Sequence, residues 1–241
     1  MKPLIYGSLF AGIGGIDLGF DRAGMRCGWQ VENNSYAKRV LEKHWPGVRR
    51  WDDVRTFPPE PVDEWRVDVI AGGFPCQDIS RAGRGAGITG EQSGLFAELL
   101  RTVRTLRPRI VVLENVAALL FRGLGDVLGN LAALGYDTEH HCLPAAHFGA
   151  PHIRDRVFVM AHTDGAGLPI PELETIFRAG REGKGRTAPQ CSWWRTEPDV
   201  GRVANGVPNR VDRLRCLGNA VVPQVAEYVG RQIVAKWSTD Q

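Results

Sequence analysis

The sequence of 241 residues has no hydrophobic run long enough to cross a membrane. Its longest apolar run, at 116–121, is far shorter than the ~20 residues that a membrane-spanning helix needs. The first residues, MKPLIYGSLF, form a stretch too short and too polar for a secretion signal. We therefore expect no membrane contact and a cytoplasmic protein.

Cysteine is also scarce. The five cysteines have no CxxC spacing, and they are Cys27, Cys76, Cys142, Cys191 and Cys216. An odd number without paired spacing argues against a disulfide framework and against a zinc site. We predict no metal and a reducing compartment.

Neither sign of charge dominates, since 30 Lys and Arg residues stand against 27 Asp and Glu residues, for a net charge of +3. This balance permits nucleic-acid binding but excludes a strongly basic DNA-coating protein. The sequence also lacks internal repeats and low-complexity segments. Its length suits one α/β domain with an insert, or two small domains.

What the sequence does contain is an alternation of strand and helix patterns. We predict strands at 4–10, 26–31, 67–72, 109–114, 136–143 and 155–161, with a further short strand before Asp53. Helices are predicted between them, namely after the turn at 11–15, at 34–44, from Leu95 towards Pro108, and up to about 134. Such alternation indicates an α/β fold with a doubly wound, mostly parallel, Rossmann-like sheet.

The alternation stops at 163–205, where Pro, Gly, Arg and Trp occur without periodicity. We predict a main domain at 1–162, a small irregular insert at 163–205, and a segment at 206–241 that returns to the main domain. A helix is predicted to start at Pro223 within that last segment.

A glycine-rich turn follows the first strand, with the spacing Gly12-x-Gly14-Gly15. Asp17 and Leu18 stand where a dinucleotide-binding GxGxxG turn needs its third glycine, and the GK[ST] ending of a phosphate-binding loop is missing. NAD and ATP are therefore disfavoured. Alone, the turn is as compatible with a plain tight turn as with a ligand site.

Two carboxylates follow strands at the edge where α/β folds bind nucleotides. Glu32 ends the second strand, where an acid can bind ribose hydroxyls, and Asp53 could accept from an adenine amine. Each has an alternative structural interpretation, since a carboxylate at a helix start is stabilised there without any ligand.

Cys76 lies in the segment Gly72-Gly73-Phe74-Pro75-Cys76-Gln77, just past the carboxyl end of a strand. Open α/β sheets place their sites at this edge. Proline fixes the backbone before the cysteine and the glycines leave space for a substrate, so burial for packing explains Cys76 poorly. We interpret it as a nucleophile.

Glu114 ends the apolar strand RIVVLE. A carboxylate there is unfavourable unless it has a partner. It is either one half of an ion pair with a nearby arginine or an acid whose pKa is raised by burial.

Six segments, in order along the chain, resemble motifs of the DNA cytosine-5 methyltransferase family, in a small form with a short target-recognition insert. They are SLFAGIGGIDLGF at 8–20, GGFPCQDIS at 72–80, SGLF at 93–96, LENV at 113–116, HIRDR at 152–156 and RLRCLGNAVVP at 213–223. The resemblance covers most of the chain.

The resemblance implies S-adenosylmethionine (SAM) as cofactor, with S-adenosylhomocysteine (SAH) as product and no metal. It implies a covalent adduct between Cys76 and a cytosine flipped out of double-stranded DNA, with Glu114 as the acid and Arg154 and Arg156 as anchors of the cytosine and a loop. The cofactor residues it implies are Phe10, Ala11, Gly12, Ile13, Gly14, Gly15, Glu32, Asn33, Asp53, Phe74, Pro75, Leu95, Asn219 and Ala220.

DNA contacts are expected from two segments. The loop at 77–93 is a candidate lid that carries Gln77, Ser80, Arg81 and Arg84, and the insert carries Arg178, Arg181, Lys184, Arg186 and Arg195. A solvated basic face explains the insert's charges equally well. We expect a monomeric protein that is encoded by a bacterium, or by a phage in a bacterial host. The recognised DNA site should be short, and a partner nuclease cannot be deduced.

The sequence departs from the family pattern at four positions. Ser8 replaces a frequent Asp, His152 a Gln, Asn33 a bulky apolar residue and Ala220 a Ser. Alternatives remain a tRNA cytosine-5 methyltransferase, a catalytically inactive DNA-binding relative and, formally, a NAD oxidoreductase. The GFPCQ context favours DNA over tRNA.

Overall fold

A computed structural model of the chain describes residues 2–75, 94–163 and 209–239. Within these residues seven strands form one sheet. They are β1 (Ile5–Leu9), β2 (Arg26–Val31), β3 (Arg49–Trp51), β4 (Val69–Gly73), β5 (Ile110–Val116), β6 (Asp137–Pro144) and β7 (Asp155–His162). The six predicted strands and the short third strand are confirmed, and β5 continues two residues beyond its predicted end.

The sheet has the order β3-β2-β1-β4-β5-β7-β6, and β7 is antiparallel to both of its neighbours while the other pairs are parallel. This confirms the predicted doubly wound, mostly parallel α/β fold. The chain moves outward in one direction from β1 to β3 and in the other from β4 to β5. The carboxyl ends of β1 and β4 therefore form the switch point at which such sheets bind ligands.

Six helices accompany the sheet in the described residues: α1 (Gly15–Arg22), α2 (Ser35–His44), α3 (Gly94–Leu106), α4 (Leu124–Ala133), α5 (Arg210–Asn219) and α6 (Pro223–Thr239). The predicted helices are confirmed, except that the stretch before 134 is divided into a 3-10 helix at Ala117–Phe121 and α4. Helix α5 was not predicted. None of the helices is long and apolar enough to span a membrane, as judged on the described residues.

The central strands are buried on both faces, which explains their continuous apolar sequences. Along β5, Val111 and Leu113 face the cluster that includes α3 and α4, while Ile110 and Val112 face the cluster that includes α1 and α6. The sheet is thus covered by helices on both sides.

Helix α6 packs directly on α1 because both helices have glycines at the contact. A Cβ atom at Gly19 would lie 2.5 Å from the Cβ of Ala226 and 2.6 Å from the carbonyl oxygen of Pro223. A Cβ atom at Gly230 would lie 2.8 Å from the Cβ of Ala23. This contact brings the C-terminal segment back to the main domain, although the predicted boundaries at 162 and 205 stay predictions because 164–208 lie outside the described residues.

We expect Gly19→Ala to lower the free energy of unfolding by about 2 kcal/mol, because the added methyl group meets backbone atoms that cannot move aside. The matched control is Gly129→Ala in α4, where a Cβ atom meets nothing within 4 Å. That change should be neutral or stabilising by up to about 1 kcal/mol. Urea denaturation measures both, and equal effects of the two changes would contradict the close packing of α1 and α6.

Candidate active site

A cavity of about 560 Å³ opens at the carboxyl ends of β1, β4 and β5. Its walls include every residue predicted to bind the cofactor except Gly14: Phe10, Ala11, Gly12, Ile13, Gly15, Glu32, Asn33, Asp53, Phe74, Pro75, Leu95, Asn219 and Ala220. Gly14 instead faces Trp45, since a Cβ atom there would lie 2.5 Å from that ring. Residues from six separate sequence segments thus meet at one cavity.

The turn at 10–15 forms one wall and has an unusual backbone. Phe10, Gly12 and Gly14 all have positive φ angles, of 54°, 57° and 82°. Glycine adopts this conformation freely, whereas Phe10 adopts it at some cost in strain. A Cβ atom at Gly15 would lie 2.4 Å from the carbonyl oxygen of Val221, so this glycine lets the C-terminal segment close against the turn.

Glu32 is fixed by two backbone amides. Its Oε2 accepts a hydrogen bond from the Gly12 amide at 2.8 Å, and its Oε1 accepts one from the Asn34 amide at 2.7 Å. Each carboxylate oxygen can accept more than one hydrogen bond, so Glu32 retains acceptor capacity towards the cavity. The carboxylate links the turn after β1 to the start of α2, a contact that the sequence did not indicate.

Asp53 has the structural role that the sequence left open, and it also lines the cavity. Its Oδ1 accepts from the Arg55 amide at 2.9 Å, which caps the 3-10 helix at Val54–Thr56, and its Oδ2 lies 3.5 Å from the Arg55 guanidinium. The adjacent Asp52, which was not predicted, lines the cavity as well and pairs with Lys38 at 2.9 Å.

The volume and the lining residues of the cavity show whether it suits SAM. Its volume lies within the range typical of small-molecule sites, about 300–1,000 Å³. Glu32 offers an oriented acceptor for ribose hydroxyls, and the side chain of Phe10 adds apolar surface. The residues present therefore fit a nucleoside-bearing ligand.

Glu114 lies at the wall of the same cavity, near the end of β5, with only 6% of its surface exposed. Its Oε1 lies 2.8 Å from Nε of Arg156, which starts the antiparallel strand β7. Burial raises the pKa of Glu114 to about 7, against the opposing attraction of Arg156 and then Arg154. Both interpretations of the sequence therefore hold, because the carboxyl is ion-paired and also protonates near neutral pH.

Gly73 gives Glu114 its space. It is paired with Glu114 across β4 and β5, and a Cβ atom at Gly73 would lie 2.7 Å from Glu114 Oε2. The second glycine of GGFPC therefore serves the acid on the neighbouring strand, in addition to leaving room at the cavity wall.

Asn115 is a site residue that sequence reasoning missed. Its Nδ2 donates to the Phe74 carbonyl at 3.0 Å, and its Oδ1 accepts from the Val116 amide at 2.9 Å. Asn115 is 3% exposed and lines the cavity. It thereby holds the backbone two residues before Cys76. Its position directly after Glu114 was the only sequence feature that could have indicated this role.

Arg154 and Arg156 have different positions. Arg156 lines the cavity beside Glu114, whereas Arg154 does not line it. The Arg154 guanidinium donates to the carbonyls of Gly218 at 2.7 Å and Ala220 at 2.6 Å, at the end of α5. It therefore fixes the loop that carries Asn219 and Ala220 to the cavity.

Several predicted residues lie outside the described residues: Cys76, Gln77, Ser80, Arg81, Arg84, Arg178, Arg181, Lys184, Arg186 and Arg195. Their roles stay predictions. Cys76 nevertheless follows Phe74 and Pro75 directly in the chain, and both of those residues line the cavity.

The strand order and the cavity at the switch point define a Rossmann-like α/β fold with a ligand site at the carboxyl ends of its central strands. The chain belongs to the C-5 cytosine-specific DNA methylase family, whose sequence model matches residues 5–182. The match includes the glycine-rich turn, Cys76, Glu114 and Arg156.

The chain is 37% identical to the type II methyltransferase M2.BsuMI of Bacillus subtilis over 162 residues, which is 64% of this chain and 41% of that protein. It is 33% identical to M.NgoBI of Neisseria gonorrhoeae over 174 residues, covering 70% and 54% of the two chains. The chain therefore spans about half the length of these curated relatives.

Solved structures show the same fold. A prophage-encoded protein of E. coli described as a DNA modification methyltransferase superposes with a TM-score of 0.58 at 27% identity, over 70% of this chain and 49% of that chain. The S. pombe Dnmt2 methyltransferase superposes with a TM-score of 0.60 at 19% identity, over 71% and 55%. At that identity the second likeness supports the fold alone.

We expect Arg156→Met to raise the pKa of Glu114 above about 7, because the change removes its nearest positive charge while burial remains. Carboxyl-¹³C NMR of glutamate-labelled protein measures the titration, and Glu114→Gln identifies the signal. The control Arg231→Met removes the partner of Glu227 on α6 and should leave that signal in place. An unchanged or lowered Glu114 pKa in Arg156→Met would contradict the assignment.

Proposed function

We propose that this chain transfers the methyl group of SAM to carbon 5 of a cytosine flipped out of double-stranded DNA, through a covalent adduct with Cys76. The observation that carries the proposal is the buried Glu114 carboxyl, which protonates near pH 7 at the wall of the cavity that Glu32 also lines. Family membership supports cytosine carbon 5 as the target.

The residues divide the work as follows. The Cys76 thiolate adds to carbon 6 of cytosine, while the Glu114 proton moves to ring nitrogen 3, so that the ring becomes an electron-rich enamine at carbon 5. SAM, when bound, supplies the methyl group that carbon 5 takes up. A base then removes the carbon-5 proton, the Cys76 sulfur leaves carbon 6, and nitrogen 3 returns its proton to Glu114.

The chain's other residues hold these groups in place. Arg156 orients Glu114, Asn115 holds the backbone ahead of Cys76, and Glu32 binds the ribose of the donor. Because the target ring is stacked in a duplex, flipping costs a few kcal/mol, which the loop at 77–93 and the basic insert would offset through phosphate contacts. These DNA contacts and the sequence specificity are part of the proposal.

The direct test is bisulfite sequencing of DNA from cells that express the protein, together with purified enzyme assayed on duplex DNA and on tRNA in parallel. We expect methylation of DNA at a short sequence and none of tRNA. Methylation of tRNA and not of DNA would contradict this proposal and would identify tRNA as the substrate.

The covalent step has its own test. A duplex with 5-fluorocytosine should trap the wild-type protein, because fluorine cannot leave carbon 5 as a proton does. Cys76→Ser should abolish trapping and methylation, and methylation by Cys76→Ser at the wild-type rate would refute the mechanism.

The raised pKa of Glu114 predicts that the rate of methyl transfer depends on pH. Since Glu114 acts in its protonated form and its pKa is about 7, kcat/KM should fall as the pH rises above about 7. Glu114→Gln should lower kcat at least ~100-fold and abolish the decrease of kcat/KM above pH 7. The matched control Glu227→Gln, which breaks the ion pair with Arg231 on α6, should keep both the rate and its decrease above pH 7.

A further inference from the structure

A second buried carboxylate lies beneath the glycine-rich turn. Asp17, in the first turn of α1, has no exposed surface. Its Oδ2 accepts from Ser8 Oγ at 3.1 Å, its Oδ1 accepts from Gln30 Nε2 at 2.9 Å, and Cys27 Sγ lies 3.8 Å from Oδ1. Neighbours on β1 and β2 thus supply hydrogen-bond donors to this carboxylate.

Within residues 2–75, 94–163 and 209–239, no cation forms an ion pair with Asp17. Burial raises the pKa of Asp17 to about 6, with the hydrogen bonds from Gln30 and Ser8 opposing it, so the group is ionised at neutral pH. Its nearest positive potential is the N-terminus of its own helix.

That N-terminus faces the cavity. Gly15 and Ile16, the first two residues of α1, both line it, and Asp17 follows them. The positive end of a helix favours an anion and disfavours a cation in front of it. A negative charge within the first turn reduces this preference.

We propose that the buried Asp17 carboxylate raises the affinity of the cavity for the cationic methyl donor relative to its neutral product. This inference rests on the proposed function, in which SAM and SAH occupy the cavity. The two ligands share adenosine, ammonium and carboxylate groups and differ in the sulfonium charge and its methyl group. The change in their affinity ratio on Asp17→Asn therefore isolates the interaction of that charge with Asp17, because the contribution of the methyl group cancels. A higher affinity for SAM relative to SAH favours release of product.

The experiment is calorimetric titration of the full chain with SAM and with SAH, without DNA, at pH 8. We expect Asp17→Asn to lower the affinity for SAM relative to the affinity for SAH, on the order of tenfold. The variant keeps the side-chain shape, and its new amide can donate to Gln30 Oε1, which has no hydrogen-bond partner among the described residues. An Asp17→Asn ratio within twofold of wild type would overturn the inference.

The matched control is Glu227→Gln, which makes the same change of net charge on α6, where Glu227 pairs with Arg231. Its ratio should stay at the wild-type value. If the wild-type chain binds neither ligand, the proposed function itself fails, which is a different outcome from binding with an unchanged ratio.

A pH series gives a second readout that does not depend on the stability of Asp17→Asn. It is run in the Glu114→Gln background, because Glu114 lines the cavity and titrates near 7. Around Asp17, burial first and the Asp17 charge second raise the pKa values of Tyr6 on β1 and Cys27 on β2, so both stay neutral between pH 5 and 8.

The remaining charged neighbours are Asp21 on α1, which accepts from Tyr6 Oη and Trp45 Nε1, and the Glu227–Arg231 pair on α6. As the pH falls from 7 to 5, the ligand ammonium groups stay charged while Asp17 gains a proton, and the preference for SAM over SAH should decrease towards that of Asp17→Asn. A preference that stays constant across this range would overturn the inference.

Discussion

The site depends on one buried charge interaction, between Glu114 at the end of β5 and Arg156 at the start of β7. β7 runs antiparallel to β5, and this direction brings its first residues to the edge where β5 ends, with Arg156 opposite Val116. A parallel strand would bring its last residues there instead. The antiparallel strand thus supplies the cation that a carboxyl at this edge requires.

The attraction of Arg156 does not fully offset the burial of Glu114, and this imbalance gives the group its chemistry. A carboxyl that was fully compensated would stay ionised at neutral pH, and one at the same place without a cation would have a higher pKa and stay protonated above neutral pH. Glu114 lies between these limits, with a pKa of about 7. Gly73 contributes because any side chain there would displace the carboxyl from its pair.

The fold could be predicted from the sequence because burial on both faces of a parallel sheet leaves continuous apolar runs, and β2 begins and ends at the predicted residues. Helix α5 was not predicted although Val211, Leu214 and Leu217 recur every third residue; these side chains are exposed, and none of the residues of the helix is buried within the described part of the chain. The contacts of Asp17 and Asn115 could not be predicted from the sequence for a different reason. Their partners come from distant segments, and a buried polar residue gives no local pattern before its partners are known.

The glycine-rich turn shows how function and packing share the same residues. The resemblance assigned Gly12, Gly14 and Gly15 of this turn to the cofactor. Gly15 lines the cavity and also makes room for the C-terminal segment, whereas Gly14 faces Trp45. Asp17, which breaks the dinucleotide pattern, joins β1, β2 and α1 beneath the turn. The departure from GxGxxG thus reflects a different charge at this position as well as a different spacing.

Charge distribution also separates this cavity from one that binds phosphates. Among the described wall residues, three carboxylates are paired with cations: Asp52 with Lys38, Asp53 with Arg55 and Glu114 with Arg156. Glu32 accepts from backbone amides instead, and the buried Asp17 adds negative charge beneath the turn. A pyrophosphate would face repulsion here, whereas a sulfonium would be attracted. The buried Asp17, rather than Glu32, separates this cavity from a dinucleotide site, because such sites also have an acid at the end of the second strand.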